Sequence, residues 1–261
     1  MLGAIIGDII GSVYEFHSTK SMDFTLFNDR STFTDDSVLT IATAKWLLDG
    51  GDYAHLLKNF SRRYPKRGYG SNYYRWALSE NLAAYNSYGN GSAMRVSPVG
   101  FAFSSANGVL AKAKESAMVT HSHPEGFKGA QAVALAIYHA RQGKSKKAIK
   151  SQLEENFEYN LNRSYDEIQP GYGFDETCQG SVPEAMIAFL SSDSYEDAIR
   201  RAIALGGDAD TQACIAGGIA EAFYKEIPEE VIIQAAKKLP QEFIDILKRF
   251  YLEKMGQTLF L

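Results

Sequence analysis

The chain has 261 residues, with 27 Lys and Arg against 31 Asp and Glu, a formal charge of −4 with His neutral. That slightly acidic balance gives no electrostatic reason for non-specific binding to nucleic acid or to an anionic membrane. Hydrophobic residues at 45% and charged residues at 22% exclude a disordered or fibrous chain, and the length allows one large domain or two small ones.

The opening segment, MLGAIIGDIIGSVYEF, has no basic residue ahead of its apolar stretch and carries Asp8 and Glu15. It reads as neither a signal peptide nor a membrane span. Ile5, Ile6, Ile9, Ile10 and Val13 form one broad stripe and predict a helix over 2–16; Val38, Leu39, Ile41, Ala42 and Leu47 predict a second over 36–48. The same spacing predicts helices near 52–63, 71–86, 107–120, 126–142, 145–156, 178–191, 195–205, 210–224, 228–238 and 241–254, separated by Gly and Pro breakers. Only 99–103 is ambiguous between helix and strand. The expected fold class is therefore all-α. No linker-like stretch or fixed-period repeat divides the chain, so one compact helical domain over 1–261 is the simplest organisation. Ala213, Ala216, Gly217, Gly218, Ala220 and Ala222 make 210–222 unusually small. Interior Gly costs a helix about 1 kcal/mol relative to Ala, so a central helix approached by another backbone is expected there. Cys178 and Cys214 are too few for a disulfide framework and form no CxxC pair. Reduced, buried thiols and a cytoplasmic location follow as expectations.

Two acidic segments carry the chemistry. Gly206-Gly207-Asp208-Ala209-Asp210-Thr211 and Thr34-Asp35-Asp36-Ser37 each place two carboxylates and a hydroxyl where a helix begins. Singly, either could be a helix cap, worth about 1 kcal/mol. Together, four acids exceed what two caps require, and burying them near one another without neutralisation would be costly. A hard divalent cation resolves that cost, and oxygen-only ligands point to magnesium, manganese or calcium. An EF-hand is excluded, because the sixth and twelfth positions counted from Asp208 are Ala213 and Ile219. Asp8 and Glu15, seven apart, share a face if the helix runs through both. Asp8 reads better as a buried acid bonded to a neighbouring helix, and Glu15 as the one that could join the cluster.

Gly89-Asn90-Gly91-Ser92-Ala93-Met94-Arg95 could gather backbone N–H groups on an anion, with Arg95 adding charge, although an Asn-Gly turn would look the same. It has neither a P-loop Lys nor a dinucleotide fingerprint. His121-Ser122-His123 has no Cys or HExxH partner to make a zinc site, so a substrate hydrogen bond or a structural role is expected of it. Tyr172 and Phe174 sit in a Pro/Gly loop and could offer a stacking platform for a base. No GxSxG elbow or activated Cys supports covalent catalysis.

In this order, GAIIGDIIGSVYE, FTDDSVLT, GNGSAMRVSPVG, THSHPEGFKGAQAVA, CQGSVPEA and GGDADTQACIAGGIAEAFY resemble the ADP-ribosylglycohydrolases over essentially the whole chain. The resemblance implies a compact, orthogonal all-α fold with two divalent cations, Mg2+ or Mn2+, in a cleft that binds ADP-ribose. By position it implies metal ligation by Thr34, Asp35, Asp36, Asp208, Asp210 and Thr211. It implies catalytic roles for Glu15, Asp208 and Asp210, and substrate binding by Gly89, Asn90, Gly91, Ser92 and His121, with Tyr172 or Phe174 at the adenine.

The function so implied is hydrolysis of the glycosidic bond between ADP-ribose and a modified acceptor, reversing ADP-ribosylation. The expected partner is an ADP-ribosylated acceptor, a protein in the first instance, and the expected state is a monomer without membrane involvement. A nucleic acid acceptor stays open, since Arg62, Arg63, Lys66 and Arg67 could form a basic rim or a solvated helix end. Two competing readings remain: a magnesium-dependent phosphohydrolase, and a non-catalytic, crystallin-like ADP-ribose-binding protein.

Overall fold

Helices in this chain begin where a side-chain oxygen can take a free backbone N–H. Thr34, Asp52, Ser105, Ser145, Thr177 and Ser194 each accept a hydrogen bond from the first turn of the helix they precede. Each such cap is worth about 1 kcal/mol. A computed structural model describes residues 1–261 and contains fifteen helices and no strand. They are α1 (Leu2–Gly11), α2 (Asp35–Asp49), α3 (Tyr53–Arg63), α4 (Ser71–Leu78), α5 (Gly91–Met94), α6 (Ser97–Ala102), α7 (Ala106–Met118), α8 (Pro124–Arg141), α9 (Lys146–Phe157), α10 (Tyr165–Ile168), α11 (Cys178–Leu190), α12 (Tyr195–Ala204), α13 (Ala209–Tyr224), α14 (Glu229–Ala236) and α15 (Gln241–Met255). No helix is long and apolar enough to cross a membrane.

Two predictions of extent need correction. The first helix ends at Gly11 rather than at 16, and Ser12 turns its hydroxyl back onto the Ile9 carbonyl. Glu15 therefore lies beyond α1 and shares no helical face with Asp8. The helix expected over 71–86 stops at Leu78, because its last carbonyls are taken from outside. Lys58 Nζ donates to the carbonyls of Trp76, Ser79 and Asn81, and Arg62 Nε to that of Ala77. Cations at a helix C-terminus also meet the negative end of its dipole. The ambiguous segment 99–103 is mostly helical, within α6.

α13 runs through the centre, and α1 packs along it more extensively than any other pair of helices. The contact is backbone to backbone. A Cβ on Gly3 would sit 2.6 Å from the Gly217 carbonyl oxygen, one on Gly11 would sit 2.5 Å from Asp210 Cα, and one on Gly7 would collide with the Ala213 carbonyl. The small residues expected to mark a crowded central helix do so, and they carry α1 onto the start of α13. One connected core of 72 buried apolar residues extends from Met1 to Tyr251, so the two ends of the sequence share an interior. Each fully buried Ile of α1 contributes about 1.5–3 kcal/mol to it.

Candidate active site

The N-termini of α2 and α13 meet at the floor of a cleft, and Asp8 of α1 joins them. Asp8 is fully buried and accepts four hydrogen bonds, from Thr34 N (3.0 Å), Thr34 Oγ1 (2.6 Å), Ser37 N (3.1 Å) and Ser37 Oγ. It thereby satisfies free N–H groups at the start of α2, as its reading as a helix-bonding acid anticipates. Burial, and then the nearby Asp210, push its pKa up to about 7 against the pull of those hydrogen bonds.

Around this node, carboxylates collect with fewer donors. Oxygens of Glu15, Asp208 and Asp210 all lie within 4.8 Å of one another. Asp36 accepts at Oδ2 from Thr211 Oγ1 (3.3 Å), while its Oδ1 is buried and accepts nothing. Asp208 Oδ2 accepts from Asn90 Nδ2 at 2.8 Å. Asp35 projects from the first turn of α2 into the cleft, opposite Gly68. No Lys or Arg forms an ion pair with any of these acids. Burial and mutual repulsion raise Asp35, Asp36 and Asp208 well above the usual carboxylate range, and Glu15 to about 8. An all-oxygen donor set with an orphaned buried carboxylate oxygen fits a hard divalent cation.

The remaining expected residues divide. Gly89, Asn90, Gly91, His121 and Thr211 line the cleft with Glu15, Asp35, Asp36, Asp208 and Asp210. The glycine loop is a turn into α5 more than an open anion nest. Gly89 N–H already donates to Ser87 Oγ (3.1 Å) and Asn90 N–H to the Glu176 carbonyl (2.8 Å). Three of the expected residues do not line the cleft. Thr34 spends its hydroxyl on Asp8 and on capping α2 and does not line the cleft. Ser92 is fully buried, with Oγ donating to the Gly126 carbonyl at 2.6 Å. Tyr172 braces the acidic loop from behind: its hydroxyl donates to the Gly180 carbonyl (3.0 Å), and a Cβ on Gly207 would sit 2.5 Å from its ring. Phe174, 55% exposed, is the ring of that loop that faces the cleft.

His121 and His123 part company as well. His121 faces the cleft, and His123 caps α8 by accepting from Glu125 N at 3.2 Å. The proposed basic rim is largely engaged elsewhere. Arg62 caps α4, Arg63 grips Glu242 through both carboxylate oxygens, and Arg67 covers the Phe33 ring at 3.8 Å. Both cysteines are buried and free, and burial raises both thiols, which disfavours a thiolate nucleophile.

Sequence reasoning missed Lys20, whose ammonium donates to the carbonyls of Gln169 (2.6 Å), Tyr172 (2.6 Å) and Leu205. It ties together the segments that carry Glu15, Phe174 and Asp208. Gln169 reciprocates, donating to the carbonyls of Lys20 (2.9 Å) and Ala204 (2.8 Å). Glu176, on the cleft wall, was missed too. A lone lysine or glutamate in a polar loop carries no local pattern to announce such a role.

Fold and site together define an all-helical protein with an oxygen-rich acid cleft at the head of its central helix. A family model described as ADP-ribosylglycohydrolase matches residues 1–258, and the chain belongs to that family. It is 29% identical to the mouse protein named ADP-ribosylhydrolase ARH3, over 88% of this chain and 84% of that one. The human protein of the same name is 28% identical over 88% and 86%. A protein of Acanthamoeba polyphaga mimivirus, named putative ADP-ribosyl glycohydrolase L543, is 25% identical over 87% of each chain. Among solved structures, a chain of an "ADP-ribosylglycohydrolase-related protein complex" superposes with a TM-score of 0.73 at 22% identity, covering 98% of this chain and 97% of that one. That likeness shows the shared fold.

Proposed function

We propose that this chain is a metal-dependent hydrolase that cleaves the glycosidic bond between ADP-ribose and a modified acceptor. Family membership supports the bond class. The observation that carries the reading is the set of buried acids at the cleft floor, unneutralised by any basic side chain, with one Asp36 oxygen left without a donor. Asp35, Asp36, Asp208, Asp210 and Thr211 would hold two divalent cations, magnesium or manganese. Cations bound there would supply orientation of the ribose hydroxyls, a lowered pKa for water and stabilisation of oxyanionic charge.

The chain's own residues do the rest. Asn90 fixes the Asp208 carboxylate by its hydrogen bond, leaving the second oxygen for the cleft. Glu15 sits half-buried at the edge of the cluster, within reach of Asp208 and Asp210, where its carboxylate is placed to take up a proton and pass it on. Asp208 and Asp210 are the other groups within reach of the same point. Gly89 and Gly91 let substrate approach the backbone, and Phe174 offers an exposed ring for a base. The acceptor in this reading is a protein side chain, and the chain acts as a cytoplasmic monomer. The free, buried thiols fit a reducing compartment.

Incubating the protein and a labelled ADP-ribosyl peptide with magnesium or manganese tests the reading. Release of intact ADP-ribose is expected, abolished by a chelator. AMP with ribose phosphate would instead make it a phosphohydrolase, and tight ADP-ribose binding without turnover of any conjugate would make it a binding protein.

A further inference from the structure

The hydroxyl of Thr120 lies between two groups with opposite needs. Arg95 is fully buried and pairs with no carboxylate; its Nη1 donates to the Gly91 carbonyl (3.0 Å) and its Nη2 to Thr120 Oγ1 (2.8 Å). A guanidinium only donates, so Thr120 Oγ1 accepts from it. The hydroxyl's own proton has one acceptor in reach, His121 Nδ1 at 2.7 Å. Thr120 is fully buried, and a buried hydroxyl proton left without a partner is costly. Nδ1 therefore accepts, and the proton of a neutral imidazole must sit on Nε2. Burial and the Arg95 charge hold the His121 pKa well below its ordinary value, so the ring stays neutral.

His121 Nε2 makes no hydrogen bond within the chain and stands at the cleft wall, beside the glycine loop. A Cβ on Gly91 would come within 3.2 Å of that nitrogen and 3.3 Å of Cε1, so glycine there keeps the imidazole edge open. We propose that Arg95 and Thr120 are positioning residues that lock His121 in its Nε2–H tautomer and present that N–H to an acceptor oxygen of the ligand in the cleft. The identity of the ligand rests on the ADP-ribose reading, in which diphosphate and ribose oxygens supply the acceptor. The tautomer does not rest on it.

Nitrogen-15 NMR of the histidine rings in the ligand-free protein is the direct test. His121 should show a protonated Nε2 and an unprotonated Nδ1. Thr120→Val, nearly isosteric, should release the ring into a tautomer mixture and weaken ADP-ribose binding by about fivefold, the loss of one ordinary hydrogen bond. Thr120→Ser should restore both the tautomer and the affinity. A protonated Nδ1 in the wild type, or a Thr120→Val spectrum identical to it, overturns the lock. A changed tautomer with unchanged ADP-ribose affinity overturns the donor role of His121. If the wild type shows the expected tautomer and fails to bind ADP-ribose at all, the lock stands and the ADP-ribose reading fails.

Discussion

Two sets of buried acids lie side by side in this protein and are treated in opposite ways. Asp8 accepts four hydrogen bonds, two from Thr34, the N-cap of α2, and two from Ser37 in its first turn, and its carboxyl group is spent on holding one helix to another. The Glu15, Asp36, Asp208 and Asp210 group has few donors, one Asp36 oxygen with none, and no basic partner. Both sets cost desolvation energy. What separates a structural carboxylate from one kept for chemistry is the supply of hydrogen bonds from its own chain, and this can be tested from either side.

The largest effect should come from the donor-poor side. Asp210→Asn should lower turnover of an ADP-ribosyl conjugate about a thousandfold, equivalent to about 4 kcal/mol of barrier, while the metal-free melting temperature holds or rises because a repelling charge is gone. A metal-free variant that melts well below the wild type would place Asp210 with Asp8. Asp8→Ala should do the reverse. It strands the Thr34 and Ser37 donors and should cost about 3 kcal/mol, or about 6–12 °C in Tm, and excess magnesium should not restore the loss. Full recovery with metal would break the distinction.

The pH dependence sharpens it further. Unfolded carboxylates titrate near about 4, whereas folded Asp8 and Glu15 titrate at about 7 and about 8. Between those limits Asp8, Glu15, Asp35, Asp36 and Asp208 hold more protons in the folded chain than in the unfolded one, and these five outnumber His121, His139 and the N-terminal amine, whose lowered pKa values act the other way, so metal-free stability falls as pH rises through that window. Thermal melts in chelator should show Tm declining from pH 5 to pH 8, and the gain from added magnesium or manganese growing over the same range. A metal-free Tm that climbs with pH would contradict the raised pKa values. The smallest effect concerns Lys20. Lys20→Met should leave Tm within about 3 °C and reduce kcat/KM severalfold, since it loosens loops around the donor-poor acids and leaves the Asp8 node intact. Unchanged kcat/KM would show that those loops hold position without it.

Much of this was legible in the sequence, for identifiable reasons. Helix starts are written locally, in Ser, Thr and Asp ahead of apolar periodicity, and most of the expected helices lie within a few residues of the observed ones. The convergence of Asp35 and Asp36 with Asp208 and Asp210 was readable because four acids at two helix starts need a common explanation. Properties decided by distant residues were not readable. α4 ends where it does because Lys58 and Arg62 of α3 reach its carbonyls. Phe174 rather than Tyr172 faces the cleft because Gly207 leaves a space that the tyrosine ring fills. Thr120 escaped notice because a hydroxyl next to a histidine means nothing until a buried arginine dictates which way its proton points.

The glycines of α1 have a mechanical consequence. With Gly3, Gly7 and Gly11 seated directly on the backbone of α13, there is no side-chain layer between the two helices to repack or shear. The floor of the cleft is welded. Changes of shape that admit or release a bulky conjugate must therefore occur in the walls, the loops after Gly11, around Gly68 and around Phe174. Variation that retunes acceptor choice can accumulate in those walls while the acids beneath stay in register.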